Sequence, residues 1–229
     1  MNTKLLRKFS FAAVALMAMT SLQSCLNDNN DNKANRTFPN AIVTMKTNPE
    51  DKSLFLQLDD KTKVIPTNIK KSPYDKKELR ALANLEYSEQ SKTAGIKYAY
   101  VHWLDTITTK NMSENLGKEK NIANYRTDPM EIVKDWLTVV EDGYLNLRFR
   151  TYFGGRRTHV LRLVKTADPY EVTIYHDAKG DTWGQVRDGL IAFRLNDLPD
   201  TKGDTVALKV NWKSFNGNKS TTFKYCTRK

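Results

Sequence analysis

Along most of this chain, large apolar residues fall on every second position, in short runs broken by turn residues. That period belongs to half-buried strands and predicts an all-β protein. Two clusters of such runs stand out, separated by a spacer over 108–128 rich in Lys, Asn, Ser and Gly. In the first cluster, 38–107, Leu54, Leu56 and Leu58 alternate with Phe55 and Gln57. Asp59-Asp60-Lys61-Thr62 reads as a turn, and Lys63-Val64-Ile65 as a strand stopped by Pro66. The run 96–104, rich in Tyr, Val and Trp, is a further strand. Residues 77–88 fit two periods at once. Leu79, Leu82 and Leu85 suit a helix, whereas Leu79, Ala81, Ala83, Leu85 and Tyr87 suit a strand.

The second cluster, 129–229, is more regular. Leu145, Leu147 and Phe149 alternate with Asn146, Arg148 and Arg150, and His159, Leu161 and Leu163 alternate with Val160 and Arg162. Matching the apolar parity of these two arms predicts a hairpin with a three-residue loop, 154–156. It would pair Phe149 with Leu161 and Leu147 with Leu163. The next arm would set Val172 opposite Leu163, Ile174 opposite Leu161 and His176 opposite His159. Val206, Leu208, Val210 and Trp212 then lead to Asn216-Gly217, a type I′ hairpin signal that pairs Val210 with Phe223 and Leu208 with Tyr225. Seven strands in about 100 residues with polar outer faces point to a β-sandwich.

The start of the chain is patterned differently. Lys4, Arg7 and Lys8 precede a largely apolar run over 9–19, and small residues then lead to Leu22-Gln23-Ser24-Cys25. A basic start, a short apolar run and a small-residue cleavage site make a secretory signal, and the run is too short to span a bilayer. Leu, a small residue and Cys at these spacings resemble the bacterial lipobox, which implies cleavage after Ser24 and lipidation of Cys25. Residues 1–24 are thus read as signal peptide and 25–37 as lipidated Cys and polar tether, since 26–35 is nearly all Asn and Asp. The location expected is an outer-membrane lipoprotein, on the periplasmic face or the cell surface.

Composition narrows the chemistry. The 229 residues carry a net charge of +11, and the remainder stays basic after the signal is removed. Export argues against nucleic acid as the partner, and Lys and Arg alternating with apolar residues describe a solvated sheet face. There are two Cys. With Cys25 consumed by lipid, Cys226 has no disulfide partner within the chain. There are three His, and the expected register brings His159 and His176 together. Two imidazoles that close take a metal if Asp177 or Asp181 adds a third ligand, or sit as a hydrogen-bonded core pair. The core pair is favoured, so no metal and no cofactor is assigned. No nucleophile elbow, Cys/His pair or phosphate loop is present, so no catalytic residue is assigned. Among the four Trp, Trp212 belongs to the in-facing set. Trp183, in a Gly/Asp-rich loop, and Trp136, on the face opposite Leu137, are the candidate ligand-binding residues.

Several segments resemble one family. The lipobox, Leu58-Asp59-Asp60-Lys61-Thr62-Lys63-Val64-Ile65-Pro66, the run from Asp135-Trp136 to Tyr144-Leu145, Thr158-His159-Val160-Leu161-Arg162-Leu163-Val164 and Tyr175-His176-Asp177-Ala178-Lys179-Gly180-Asp181 are similar to the NigD-like lipoproteins. The resemblance implies an OB-like barrel over 38–108, a linker over 109–128 and an immunoglobulin-like β-sandwich over 129–229, and it decides 77–88 in favour of a strand. It also implies a bacteriocin-immunity role. The expected function is a non-enzymatic binding module, membrane-anchored through Cys25, for an envelope or secreted protein. A cell-surface glycan-binding module is the alternative.

Overall fold

The computed structural model describes residues 36–74, 78–88, 93–155 and 157–228. The signal, Cys25 and most of the tether lie outside them. Five strands, β1 (Ala41–Thr47), β2 (Leu54–Gln57), β3 (Lys63–Pro66), β4 (Glu78–Tyr87) and β5 (Ile96–Thr106), close into a barrel in the order β1-β2-β3-β5-β4. The expected OB-like barrel is therefore present. Its core takes Val43, Met45, Leu54, Leu56, Val64, Leu85 and Val101, with Ala41, Ala81, Ala83 and Ala99 leaving room for closure. The turn after β2 follows its sequence, because Asp59 Oδ1 accepts the backbone N–H of Lys61 and Thr62, each at 2.8 Å.

Within the segment 77–88, Glu78–Tyr87 form strand β4, and the mixed signal has a cause. Ala81, Ala83 and Leu85 face the barrel core, while Leu82 packs on the other side against a second cluster with Ile42, Ile107, Tyr144 and Ala192. Both faces of β4 are covered, so apolar residues occur at both parities.

The rest of the chain forms a two-sheet sandwich. Its elements are β6 (Thr109–Lys110), α1 (Lys118–Tyr125), β7 (Glu131–Ile132), β8 (Val139–Glu141), β9 (Tyr144–Phe153), β10 (Val160–Lys165), β11 (Glu171–Asp177), β12 (Gln185–Arg194), β13 (Val206–Ser214) and β14 (Gly217–Tyr225). One sheet has the order β6-β12-β9-β7, with β8 also on β9, and the other β10-β11-β13-β14. Leu145, Leu147 and Phe149 from the first sheet share a core with Leu161, Leu163, Ile174, Leu208 and Trp212 from the second.

Three pairings differ from the sequence expectation. β9 and β10 form no hairpin. β9 pairs with β12 from Phe153 opposite Gln185 to Tyr144 opposite Arg194, and β10 pairs with β11 in the other sheet. Leu147 and Leu161 belong instead to facing sheets and share the core between them. Inward alternation looks the same for bonded neighbours and for strands in facing sheets, so parity does not separate the two cases. In β10–β11, Leu163 lies opposite Ile174 and Leu161 opposite His176. In β13–β14, Leu208 lies opposite Phe223 and Val210 opposite Thr221. Each is a two-residue slip, which leaves every side chain on its expected face. The second follows from the turn. Phe215 and Asn216 do not take positive φ, Gly217 does at 102°, and a type I′ turn needs positive φ at both central residues. Ser214 pairs with Gly217, so the turn closes over Phe215 and Asn216, one position earlier than the Asn-Gly signal places it.

The two domains meet through a polar seam. Arg80, on the outer face of β4, is fully buried. Its Nε donates to Asn146 Oδ1 at 3.0 Å, Nη1 to Thr44 Oγ1 at 2.9 Å, and Nη2 to Glu141. Glu78 accepts from Tyr144 and, at 2.7 Å, from Arg228 Nη1. Lys46 reaches Asp142 at 2.7 Å. The rule that strand cations mark a solvated face therefore fails at Arg80, because the sandwich covers that face.

Candidate functional site

Two loops cross at one corner of the sandwich. Gly154 and Gly155 leave the end of β9, and 178–184 leads into β12. A Cβ on Gly154 would lie 2.5 Å from the Trp183 carbonyl oxygen and 2.9 Å from its indole. One on Gly184, at φ 101°, would lie 2.8 Å from Gly154 N and Phe153 O. Only glycine fits this crossing.

A chain of polar groups beneath the crossing holds it. Asp181 Oδ1 accepts the backbone N–H of Gly154 and of Gly155, both at 2.9 Å. Its Oδ2 stands 3.4 Å from His159 Nε2. His159 Nδ1 is 2.9 Å from His176 Nε2, and His176 Nδ1 is 3.1 Å from the Asp128 carbonyl oxygen. The acceptors fix the tautomers. A carbonyl only accepts, so His176 carries its proton on Nδ1 and its Nε2 accepts from His159 Nδ1–H. The Nε2 of His159 then holds Asp181 only when it too carries a proton. Phe153 stacks on His159 with ring centroids 4.4 Å apart.

The two histidines meet, as expected, but diagonally. His159 lies just before β10, and the slipped register reserves the place opposite His176 for Leu161. Of the two acids named from sequence, Asp181 joins them, whereas Asp177 pairs with Lys179 at 2.7 Å. The nitrogens of His159 and His176 face each other across a shared proton. Among the described residues, no group of three or more His, Cys, Asp or Glu is placed to hold a metal ion.

The chain is tuned by burial. Burial first, and His159 second, hold His176 below the ordinary imidazole range. Burial opposes the Asp181 carboxylate, yet the Gly154 amide, His159 and the Gly155 amide together hold it below the usual carboxylate range. The unfolded chain thus takes up a proton on His176 near pH 6.5 that the folded chain refuses. Stability is expected to fall as pH drops below about 6.5, where the unfolded state binds more protons. Urea midpoints between pH 8 and 5 check this. In His176→Gln the slope between pH 7 and 5 is expected to flatten, and an unchanged slope removes His176 as its source.

Above the crossing lies an apolar patch. Even-numbered side chains of β9 face outward, and Tyr152 is one of them. Val186 lies opposite Tyr152 on β12, and the Phe215 ring meets Tyr152 edge-on at 5.4 Å. Trp183, 66% exposed, lies over Gly154, where the outward series of β9 continues. Arg148, Arg150 and Asp188 flank the patch in an ion-pair network that also takes in Asp135.

Trp136 is half-exposed and follows Asp135, whose carboxylate is 2.5 Å from Arg148 Nη1. Arg148 and Gly154 are six residues apart along β9. That is about 20 Å at ~3.3 Å per strand residue, so the two Trp occupy different ends of the face. His102 is elsewhere, on the barrel, against Glu86 at 2.8 Å. Sequence reasoning missed Tyr152, Val186 and Phe215. The signal for Tyr152 was an aromatic residue at the parity of Arg148 and Arg150.

Comparison with known proteins places this architecture. The model of the NigD-like N-terminal OB domain matches residues 42–107, and that of the NigD-like C-terminal beta sandwich domain matches 111–225. A toxin-related protein of Parabacteroides distasonis is 32% identical, with a TM-score of 0.67 over 81% of this chain and 92% of its own. A NigD-like immunity protein of Bacteroides caccae is 19% identical, TM-score 0.58, over 81% and 96%. A Bacteroides fragilis protein named as a putative lipoprotein is 11% identical, TM-score 0.51, over 82% and 99%. The last two share the fold. A comparison with curated proteins gives no match. With both of its domains matched by the family's own models, this chain belongs to the NigD-like family.

Proposed function

We propose that this protein is a non-enzymatic outer-membrane lipoprotein, anchored through Cys25, that binds another protein of the envelope or a secreted one. The apolar patch at the sandwich corner carries the reading. Trp183, Tyr152, Val186 and Phe215 are exposed together, with arginines alongside. Trp, Tyr and Arg dominate the energetics of protein interfaces, and a contiguous exposed apolar patch marks an interaction site. The crossing of Gly154 and Gly184 and the Asp181 hydrogen bonds give the patch a fixed shape, which lowers the entropy lost on binding. Bacteriocin immunity, the role in the name of the Bacteroides caccae protein, is one form such binding takes. Trp136 is a second contact at the far end of the same face. A saccharide groove running along both Trp has less support, since they stand well apart and neither lines the cleft beside β11 and β13 or the cleft in the interdomain seam.

The test is a photo-crosslinker in place of Trp183 in the full-length chain in living cells. A discrete adduct with one protein is expected from position 183, and none from position 165 on the opposite sheet. The Trp183→Ala/Tyr152→Ala pair is expected to weaken binding of that protein about 30-fold, the effect of losing ~2 kcal/mol at an interface hot spot. No adduct, or equal adducts from both positions, would sink the reading.

A further inference from the structure

A cleft of about 580 Å³ lies in the seam between the domains, away from the Trp183 corner. Small-molecule sites fall within roughly 300–1,000 Å³ and favour domain interfaces. One wall is the outer face of β1, β2 and β3, with Lys46, Phe55 and Lys63, joined by Lys61 from the turn. The other wall is Asp142 and Arg228 of the sandwich. The face of the second and third strands is where OB barrels commonly take oligonucleotides and oligosaccharides.

The charges in this cleft do not cancel. Lys46 is paired with Asp142, and Arg228 with Glu78. Asp60 Oδ1 accepts the backbone N–H of Asp142 at 2.6 Å. Among the described residues, Lys61 and Lys63 make no ion pair with a carboxylate. The Lys63 ammonium stands 5.1 Å over the centre of the Phe55 ring, so it covers one face of the ring, and a ligand ring meets Phe55 from the side that Lys63 leaves open. Asp142 is buried, and its Oδ2, 3.9 Å from Arg228 Nη1, receives no hydrogen bond.

A ligand matching this set carries a negative charge for Lys61 and Lys63, a flat C–H face for Phe55 and a hydroxyl that donates to Asp142. Phosphate lacks the apolar face. An acidic peptide side chain lacks both that face and the hydroxyl. We propose that the interdomain cleft binds the acidic sugar unit of an anionic polysaccharide. Its carboxylate lies between Lys61 and Lys63, its ring on Phe55 and one of its hydroxyls on Asp142. The site is separate from the protein-binding corner.

The test is calorimetric titration of the full chain, in detergent, with trigalacturonate. Saturable binding is expected. Lys61→Ala/Lys63→Ala is expected to weaken it about tenfold, as for two partly exposed ion pairs, and added salt to weaken it further. Trp183→Ala is expected to leave it unchanged, which separates this site from the corner. The proposal is overturned by absent trigalacturonate binding, by binding indifferent to the double substitution, or by equal binding of neutral maltotriose. Equal or tighter binding of inorganic phosphate would make the cleft a simple anion site, and of tetraglutamate a peptide site. Either result also overturns it.

Discussion

Arg80→Ala is expected to lower stability by about 3–5 kcal/mol, the range for removing one partner of a buried ion pair. The substitution removes the guanidinium that Glu141, Asn146 and Thr44 share, and Asn146 and Thr44 are fully buried. Burial already pushes the Glu141 carboxyl up against the pull of Arg80. Without Arg80 it must take a proton or draw in water. Arg80→Met together with Glu141→Leu is expected to recover most of the loss, because well-packed apolar residues cost less than a charge left alone. Urea unfolding of the three proteins measures this. A loss for Arg80→Ala within the ~0.5 kcal/mol scatter of surface substitutions would mean the seam contributes nothing to stability.

Gly184→Ala is expected to cost about 2–4 kcal/mol, combining backbone strain with overpacking. The new Cβ would meet backbone, Gly154 N and Phe153 O at 2.8 Å, which has no rotamer to escape into. Gly203→Ala is the control, since it has φ 92° and no atom within 4 Å of its Cβ, and so carries strain alone. Thermal unfolding should separate the pair, with Gly184→Ala lower. Equal melting temperatures would show that the two loops do not constrain each other. Loss of partner binding in Gly184→Ala alone would tie that constraint to the Trp183 patch.

Strand positions and facing were legible in the sequence because period-2 alternation is local. Leu145, Leu147 and Phe149 face inward as read, and so do Leu161 and Leu163. Pairing was less legible because it is a long-range choice. Parity allowed β9 to bond β10, but β12 takes that place from the far side of β11. Slips of two residues leave parity intact, so the β10–β11 and β13–β14 registers carried no sequence signal beyond their turns. β6 and β7 are two residues each, too short for any period to register. Of the site, the His159–His176 meeting was legible from alternation, whereas the exposure of Trp183 was not, since an aromatic residue in a polar loop serves equally well as a plug over the sandwich end. The role of Asp181 was one of two options. Phe215 was not legible, since its contact with Tyr152 depends on where the β13–β14 turn falls.

Arg228 and Glu78 stand 150 residues apart, yet they are bonded. In chain order the barrel strands all come before residue 107 and pair only with one another. A barrel made first during synthesis therefore has its own core early. The flank bearing Ile42, Arg80 and Leu82 has no cover until β8, β9 and β12 are made, and Glu78 waits longer still for Arg228. In that interval the nascent protein shows an apolar strip with a guanidinium at its middle. The residue that later anchors the seam is, until then, a charge on an open strand face.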